Sequence, residues 1–216
     1  MSLAKYIDHT ILRPDCTAAD VKVLCEEAAQ YHFFGACIPP YFVKDAAKWL
    51  EGTGVKVVTV IGFPLGYSST PSKVEEIKRA LDEGAEEVDA VINLAALKSN
   101  HWSFVKNDID SVTRAVHLKG KTIKIIVESG LLTDAELVRV CNTCAEVGVD
   151  FVKTSTGFNG TGATLKAVQT MRECLPKDIK IKASGGIRTS EDAQKFINAG
   201  ANRIGSSSSI KIAGEG

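Results

Sequence analysis

No stretch of the sequence approaches the about 18 continuous apolar residues that a membrane-spanning helix needs. The start, MSLAKYIDHT, lacks the basic opening and apolar run of a secretory signal, which predicts a cytosolic protein without a membrane partner. Neither sign of charge is in excess, since Lys plus Arg and Asp plus Glu each number 26. No overall field therefore draws the protein towards nucleic acid, and any anion it binds must be held by a local site. The six cysteines, Cys16, Cys25, Cys37, Cys141, Cys144 and Cys174, are scattered and imply no disulfide framework in a reducing compartment. Cys141-Asn142-Thr143-Cys144 has CxxC spacing, but it lies late in a helical stretch, with no second pair and no histidine at ligand spacing; it is expected to pack in the core. The histidines, His9, His32, His101 and His117, are scattered as well, and His32 and His117 are expected to be helix residues without a catalytic part. No metal site, Ser/His/Asp arrangement or organic cofactor is expected. No linker, low-complexity tract or charge block divides the chain.

What the sequence does contain is alternation. Short β-branched runs recur at Val55 to Ile61, Glu87 to Leu94, Thr122 to Val127, Asp150 to Lys153, Ile179 to Ala183 and Asn202 to Ile204, separated by segments of helical period. Their starts lie roughly 23 to 35 residues apart, the length of a right-handed βαβ crossover, which predicts a parallel sheet. Two earlier strands, around Tyr6 to Leu12 and Phe33 to Ile38, bring the count to eight. Thr133 with Glu136 forms a capping-box pattern, and Thr70 with Pro71 pairs a cap with a first-turn proline. Leu137, Val140, Cys141, Cys144 and Val147 fall on one helical stripe that should face the sheet. Gly35-Ala36, Gly84-Ala85, Gly148-Val149 and Gly200-Ala201 each suggest a glycine helix stop leading straight into a strand. Eight β-then-α units in 216 residues of 44% hydrophobic composition fit one (β/α)₈ TIM barrel over residues 1–216, with a doubly wound open sheet as the alternative.

In such barrels the chemistry lies where strands end. Lys153 ends one predicted strand and Lys182 sits within the next, where alternation turns it inward if the neighbouring isoleucines pack under helices. A second cation and partial burial would both disfavour the protonated form of Lys153, and a neutral amine is what Schiff-base chemistry requires. The alternative is that both lysines snorkel from strand ends or pair with carboxylates. Asp89, in mid-strand, is either a proton shuttle or a structural counter-ion. Glu128 and Lys124 share a face of the fifth strand and could join the same polar network as structural members. Ser184-Gly185-Gly186-Ile187-Arg188 and Gly205-Ser206-Ser207-Ser208-Ser209 follow the last two strands, where barrels commonly bind phosphate.

Taken in order, Tyr6-Ile7-Asp8-His9-Thr10, Gly62-Phe63-Pro64-Leu65-Gly66, Glu87-Val88-Asp89, Phe151 to Phe158 (FVKTSTGF) and Lys182 to Arg188 (KASGGIR) resemble the strand-end segments of the deoxyribose-phosphate aldolases. The resemblance runs from about residue 5 to about residue 209. It implies a metal-independent class I aldolase that reversibly joins acetaldehyde to D-glyceraldehyde 3-phosphate, giving 2-deoxy-D-ribose 5-phosphate; its partners would be these phosphorylated-sugar and aldehyde substrates. By resemblance Lys153 is the Schiff-base lysine, Lys182 the second lysine, Asp89 the proton donor and acceptor, and Asp8 an acidic member of the proton network. Gly185, Gly186, Gly205 and Ser206 match phosphate loops, flanked by Thr156 and Gly157. Some members close the site with a C-terminal tyrosine, whereas this sequence ends Ala213-Gly214-Glu215-Gly216. Two rivals stay open: a Schiff-base aldolase for another phosphorylated sugar, and a non-catalytic sugar-phosphate-binding barrel. Whether copies of the chain form a homo-oligomer also stays open.

Overall fold

A computed structural model of the chain describes residues 3–214. Eight parallel strands pair in sequence order: β1 (Ile7–Thr10), β2 (Gly35–Ile38), β3 (Lys56–Ile61), β4 (Glu87–Val91), β5 (Thr122–Ile126), β6 (Phe151–Lys153), β7 (Lys180–Ser184) and β8 (Arg203–Ser206). β8 returns to β1, with Gly205 beside Asp8, so the sheet is a closed (β/α)₈ barrel and the open sheet is excluded. Residues 215 and 216, and with them the end of the expected tail, lie outside the described residues.

The helices α1 (Ala18–Gln30), α2 (Val43–Trp49), α3 (Thr70–Asp82), α4 (Leu94–Lys98), α5 (Trp102–His117), α6 (Asp134–Val147), α7 (Leu165–Cys174), α8 (Ser190–Asn198) and α9 (Ser209–Gly214) connect or follow the strands. Among the described residues no helix is long and apolar enough to cross a membrane. In β5 the outward Ile123 and Ile125 join the core beneath the helices, and Lys124 between them turns inward. On α6, Leu137, Val140, Cys141 and Cys144 are buried on one stripe with Val147 at its edge, and both cysteines are free thiols. The barrel interior is divided. Cys37, Val58 and Val60 form a small apolar cluster on β2 and β3, and charged side chains fill much of the rest.

Local signals acted largely as expected, with four corrections. Thr133 and Glu136 form the capping box of α6. Ser69, not Thr70, caps α3: its extended backbone places its Oγ to accept from Ser72 N–H, and Thr70 becomes the first helical residue. Gly84, Gly148 and Gly200 take left-handed backbone at helix ends, but Gly35 does not. Residue His32 (φ 54°) makes the turn after α1, so it is not a helix residue. Gly35 lies inside β2, where a Cβ would come within 2.9 Å of Asp8 Oδ1 and 2.8 Å of Val58 Cγ2, so its role is to leave room and not to stop a helix. Finally, the run predicted to reach Leu94 stops at Val91, because Asn93 turns the chain and caps α4 by accepting from Ala96 N–H.

Lys73 of α3 and Asp108 of α5 form an ion pair of 2.7 Å that is almost wholly buried. The Lys73 ammonium also donates to Val91 O at the end of β4, and Thr70 Oγ1 donates to the other oxygen of Asp108. The pair thus ties two helices to the end of β4. Asp108→Ala leaves a buried ammonium with only a carbonyl, so denaturant unfolding should show a loss of about 3–5 kcal/mol. A loss below about 1 kcal/mol would mean that water reaches Lys73 and the pair is not a structural tie.

Candidate active site

Lys153 closes β6 directly beside Lys182 of β7, and β7 alternation sends Lys182 inward while Ile181 and Ala183 pack outward. Asp89 of β4 lies between them. Its Oδ2 accepts from Lys153 Nζ and from Lys182 Nζ, each at 2.8 Å, and its Oδ1 accepts from Lys124 Nζ at 2.8 Å. Lys124 continues to Glu87 Oε2 at 2.6 Å. Arg203 Nη1 donates to Glu87 Oε2 at 3.1 Å and to Asp8 Oδ1 at 2.8 Å. Lys182 donates to Asp8 Oδ2, which closes the circuit. Asp8, Lys182, Asp89, Lys124, Glu87 and Arg203 thus form a ring in which acid and base alternate, and Lys153 hangs from it at Asp89.

The ring needs room. Asp8 is flanked in register by Gly35 and Gly205, and a Cβ at Gly205 would sit 3.0 Å from Lys182 Cε. Gly205 therefore has a steric reason at this position in addition to its place on the cavity wall. Below the ring, the Arg203 guanidinium stacks on Phe34 at 3.3 Å from the ring centroid.

Charge within this enclosure is unevenly stabilised. Burial pushes the Asp89 carboxyl up, but Lys124, Lys153 and Lys182 together outweigh it and hold Asp89 well below the usual carboxylate range. Asp8 is likewise opposed by burial, yet Lys182 and Arg203 hold it at about 2. Burial works against the charge on Lys182, and Asp8 with Asp89 more than reverses this, so Lys182 lies above the ordinary lysine value. The same balance raises Lys124 and Arg203. Lys153 alone among the four bases is shifted down. Burial is the main cause, Asp89 opposes it, and the nearby Lys182 adds to it. Sequence reasoning credited the neighbouring cation first, whereas enclosure dominates.

A cavity of about 760 Å³ opens at the carboxyl ends of the strands. Lys153 is the member of the charged group that lines it, beside Thr156, Gly157, Gly185, Gly186, Gly205 and Ser206. Gly186 is exposed and left-handed, with open space where a Cβ would project. Ser206 Oγ donates to Ile187 O and accepts from Ser208 N–H. Both donors of Thr156 turn to the buried Glu128 and away from the cavity.

Glu128 departs from expectation. Its left-handed backbone (φ 53°) follows the end of β5 and breaks the strand alternation, so its carboxylate binds Thr156 and Asn159 in the loop after β6. Lys124 joins the charged group and Glu128 does not. Two members of the group went unassigned in the sequence, Glu87 and Arg203, while Arg188 lay within a segment read as a phosphate loop but was given no role of its own. Glu87 shares period-two spacing with Asp89, as Arg203 does with Gly205, and that spacing was the signal available. Arg188 is exposed and has no ion pair among the described residues. His9 also lines the cavity, bonded to Glu27 at 2.8 Å and pushed below the ordinary histidine value by burial. Cys37 faces Lys153 from β2, its thiol raised by burial and therefore neutral.

The chain matches the model of the DeoC/LacD family of aldolases over residues 2–212. It is 51% identical over 213 residues to a deoxyribose-phosphate aldolase of Bacillus mycoides, covering 98% of this chain and 95% of that protein. It is 49% identical over 214 residues to one of Thermococcus gammatolerans, covering 98% and 95%. A tetrameric deoxyribose phosphate aldolase from Aeropyrum pernix superposes with a TM-score of 0.91 at 34% identity, covering 98% of this chain and 89% of that one.

Because the folded state disfavours the proton on Lys153, it weakens folding at every pH below the lowered folded value, and the penalty fades as pH rises towards the ordinary 10.5. Lys153→Leu should therefore be at least as stable as the parent at pH 7, since Asp89 keeps Lys124 and Lys182 as partners. The advantage should shrink towards pH 10.5. Denaturant unfolding across that range checks it, and a variant clearly less stable at pH 7 would mean that Lys153 is a charged structural partner.

Proposed function

The chain belongs to the DeoC/LacD family of aldolases, and from that premise we propose that it reversibly cleaves 2-deoxy-D-ribose 5-phosphate to D-glyceraldehyde 3-phosphate and acetaldehyde through a Schiff base on Lys153. The observation that carries the assignment of the nucleophile is that Lys153 is the base of the buried group that both lines the cavity and is shifted towards neutrality.

On this reading the neutral Lys153 amine adds to the aldehyde carbon C1 of the open-chain sugar. Asp89, ionised and 2.8 Å from Nζ, accepts the proton that the nitrogen sheds. The adduct's alkoxide oxygen takes a proton from solvent water, Asp89 then returns its proton to that hydroxyl, water leaves, and an iminium forms. The C3 hydroxyl passes its proton through water to Asp89 as the C2–C3 bond breaks, and the electron pair moves through C2 and C1 onto nitrogen, so that Asp89 holds the proton that C2 next receives. Glyceraldehyde 3-phosphate leaves, the enamine is protonated at C2, and water releases acetaldehyde from Lys153. Lys182 stays charged between Asp8 and Asp89, where it holds Asp89 in place and opposes a proton on Lys153.

The phosphate is read as lying against Gly185, Gly186, Gly205 and Ser206, with Arg188 supplying a cation and Thr156 and Gly157 forming the wall beside it. Residues 1–216 are taken as one catalytic domain. A cytosolic setting suits six free thiols. A homo-oligomer is proposed from the tetrameric relative alone, and light scattering on the purified protein decides it.

Borohydride reduction in the presence of acetaldehyde should inactivate the protein and leave a two-carbon adduct on Lys153, and peptide mapping to another lysine would overturn the assignment. Arg188→Ala should raise KM for the phosphorylated substrate by about 10- to 100-fold, the worth of one charge-assisted contact of about 1.5–3 kcal/mol. It should leave turnover of unphosphorylated deoxyribose unchanged. Equal damage to both substrates would mean that Arg188 supports the fold and does not hold phosphate.

A further inference from the structure

The charges enclosed by the barrel do not balance. Three carboxylates, Asp8, Glu87 and Asp89, face four bases, Lys124, Lys153, Lys182 and Arg203, and all seven are buried. Their pairing is unequal. Lys124 bridges Glu87 and Asp89, Lys182 bridges Asp8 and Asp89, and Arg203 bridges Asp8 and Glu87. Three acids and three bases therefore satisfy one another in a closed ring. Among the described residues Lys153 touches one carboxylate only, through an Asp89 oxygen that it shares with Lys182. The other oxygen of Asp89 belongs to Lys124.

We infer that Lys124, Glu87 and Arg203, none of which lines the cavity at the strand ends, are positioning residues for the reaction: by completing a neutral ring with Asp8, Asp89 and Lys182, they leave Lys153 as the base without a countercharge of its own and so set its reactivity. This rests on the reading of Lys153 as the nucleophile.

The physical case is one of competition in a dry enclosure. An ammonium buried without a dedicated anion sheds its proton before one that bridges two carboxylates, because the energy of transfer from water is uncompensated. The groups facing Lys153 are Asp89 from β4, Lys182 from β7 and the neutral Cys37 from β2, with Asp8 and Lys124 one link further along the ring. Asp89 is the only anion in contact with it among the described residues, so whatever occupies Asp89 decides how much of that carboxylate Lys153 receives. Lys124 is the largest electrostatic influence on Asp89. Glu87 and Arg203 in turn hold Lys124 and Asp8 in place. Such a set titrates as a unit, and removing one member redistributes charge among the others.

This makes a prediction that a merely structural ring does not share. Lys124→Met removes one ring base and frees Asp89 for Lys153; the remaining three acids then match three bases, and Lys153 keeps its proton. Glu87→Gln has the opposite sign. The double variant restores an excess of one base, with two acids facing three bases, so it should recover what the single Lys124→Met variant lost.

The experiment follows the rate at which acetaldehyde and cyanoborohydride label the full-length protein across pH, with the adduct mapped each time. In Lys124→Met the acid limb should move up by about one pH unit or more, seen below the limb as a labelling rate slower by about tenfold per unit. The double variant should return most of the way to the parent, and Glu87→Gln alone should move the limb down. An unmoved limb in Lys124→Met with labelling still on Lys153 overturns the inference, as does a double variant no nearer the parent than Lys124→Met. Labelling of a different lysine in the parent overturns the nucleophile assignment instead. If Lys124→Met does not fold, the near-isosteric Glu87→Gln decides by itself: a downward shift supports the charge count, and no shift overturns it.

Discussion

Asp89 sits fully buried in mid-strand, and a carboxylate can stay ionised there because Lys124 and Lys182 reach it as ammonium groups from β5 and β7, with the Lys153 amine as a third donor from β6. That constraint organises the rest of the barrel interior. Each ammonium would be untenable alone in an apolar core, so each needs an acid, and the acids need further bases until the circuit closes through Glu87, Arg203 and Asp8. The strands must keep their register for this to happen, because a slip of one residue would turn every one of these side chains outward. Gly35 and Gly205 flank Asp8 because larger residues would collide with the ring.

Charge thus substitutes for part of the hydrophobic filling usual inside such a barrel, and one apolar patch there is formed by Cys37, Val58 and Val60. The fold's stability comes mainly from the outer layer, where outward strand residues such as Ile123, Ile125, Ile181 and Ala183 pack beneath the helices. This division lets the interior hold a buried network of charges beneath the strand ends while the outer layer holds the barrel together. The cavity also presents the glycine loops and Arg188, the end at which the substrate phosphate is proposed to lie. A dianion there would also offset the positive charge that an iminium places on Lys153.

The barrel was legible in the sequence because each strand carried a β-branched run and the spacing of runs matched one crossover; the first strand, Ile7 to Thr10, was marked least by its apolar pattern and is held by pairing with both β2 and β8. Lys153, Lys182 and Asp89 stood out because ionisable groups are rare in strands. The ring as a whole was not legible, since its members come from β1, β4, β5, β7 and β8 and only closure brings them together. Glu128 misled because left-handed backbone at a non-glycine residue leaves no mark in strand alternation. Thr156 showed its place but not its direction, for the hydroxyl and N–H turn to Glu128 only once the loop after β6 is folded.

The central claim is that Lys153 sheds its proton more readily than the other bases of the buried group. NMR titration of protein carrying ¹⁵N-labelled lysine side chains, with the Lys153 signal assigned by its loss in Lys153→Arg, measures this without substrate or turnover. The account predicts that the Lys153 nitrogen titrates below the ordinary value of 10.5 while Lys124 and Lys182 stay protonated above it. A Lys153 signal that keeps its proton up to 10.5 or beyond would contradict the account.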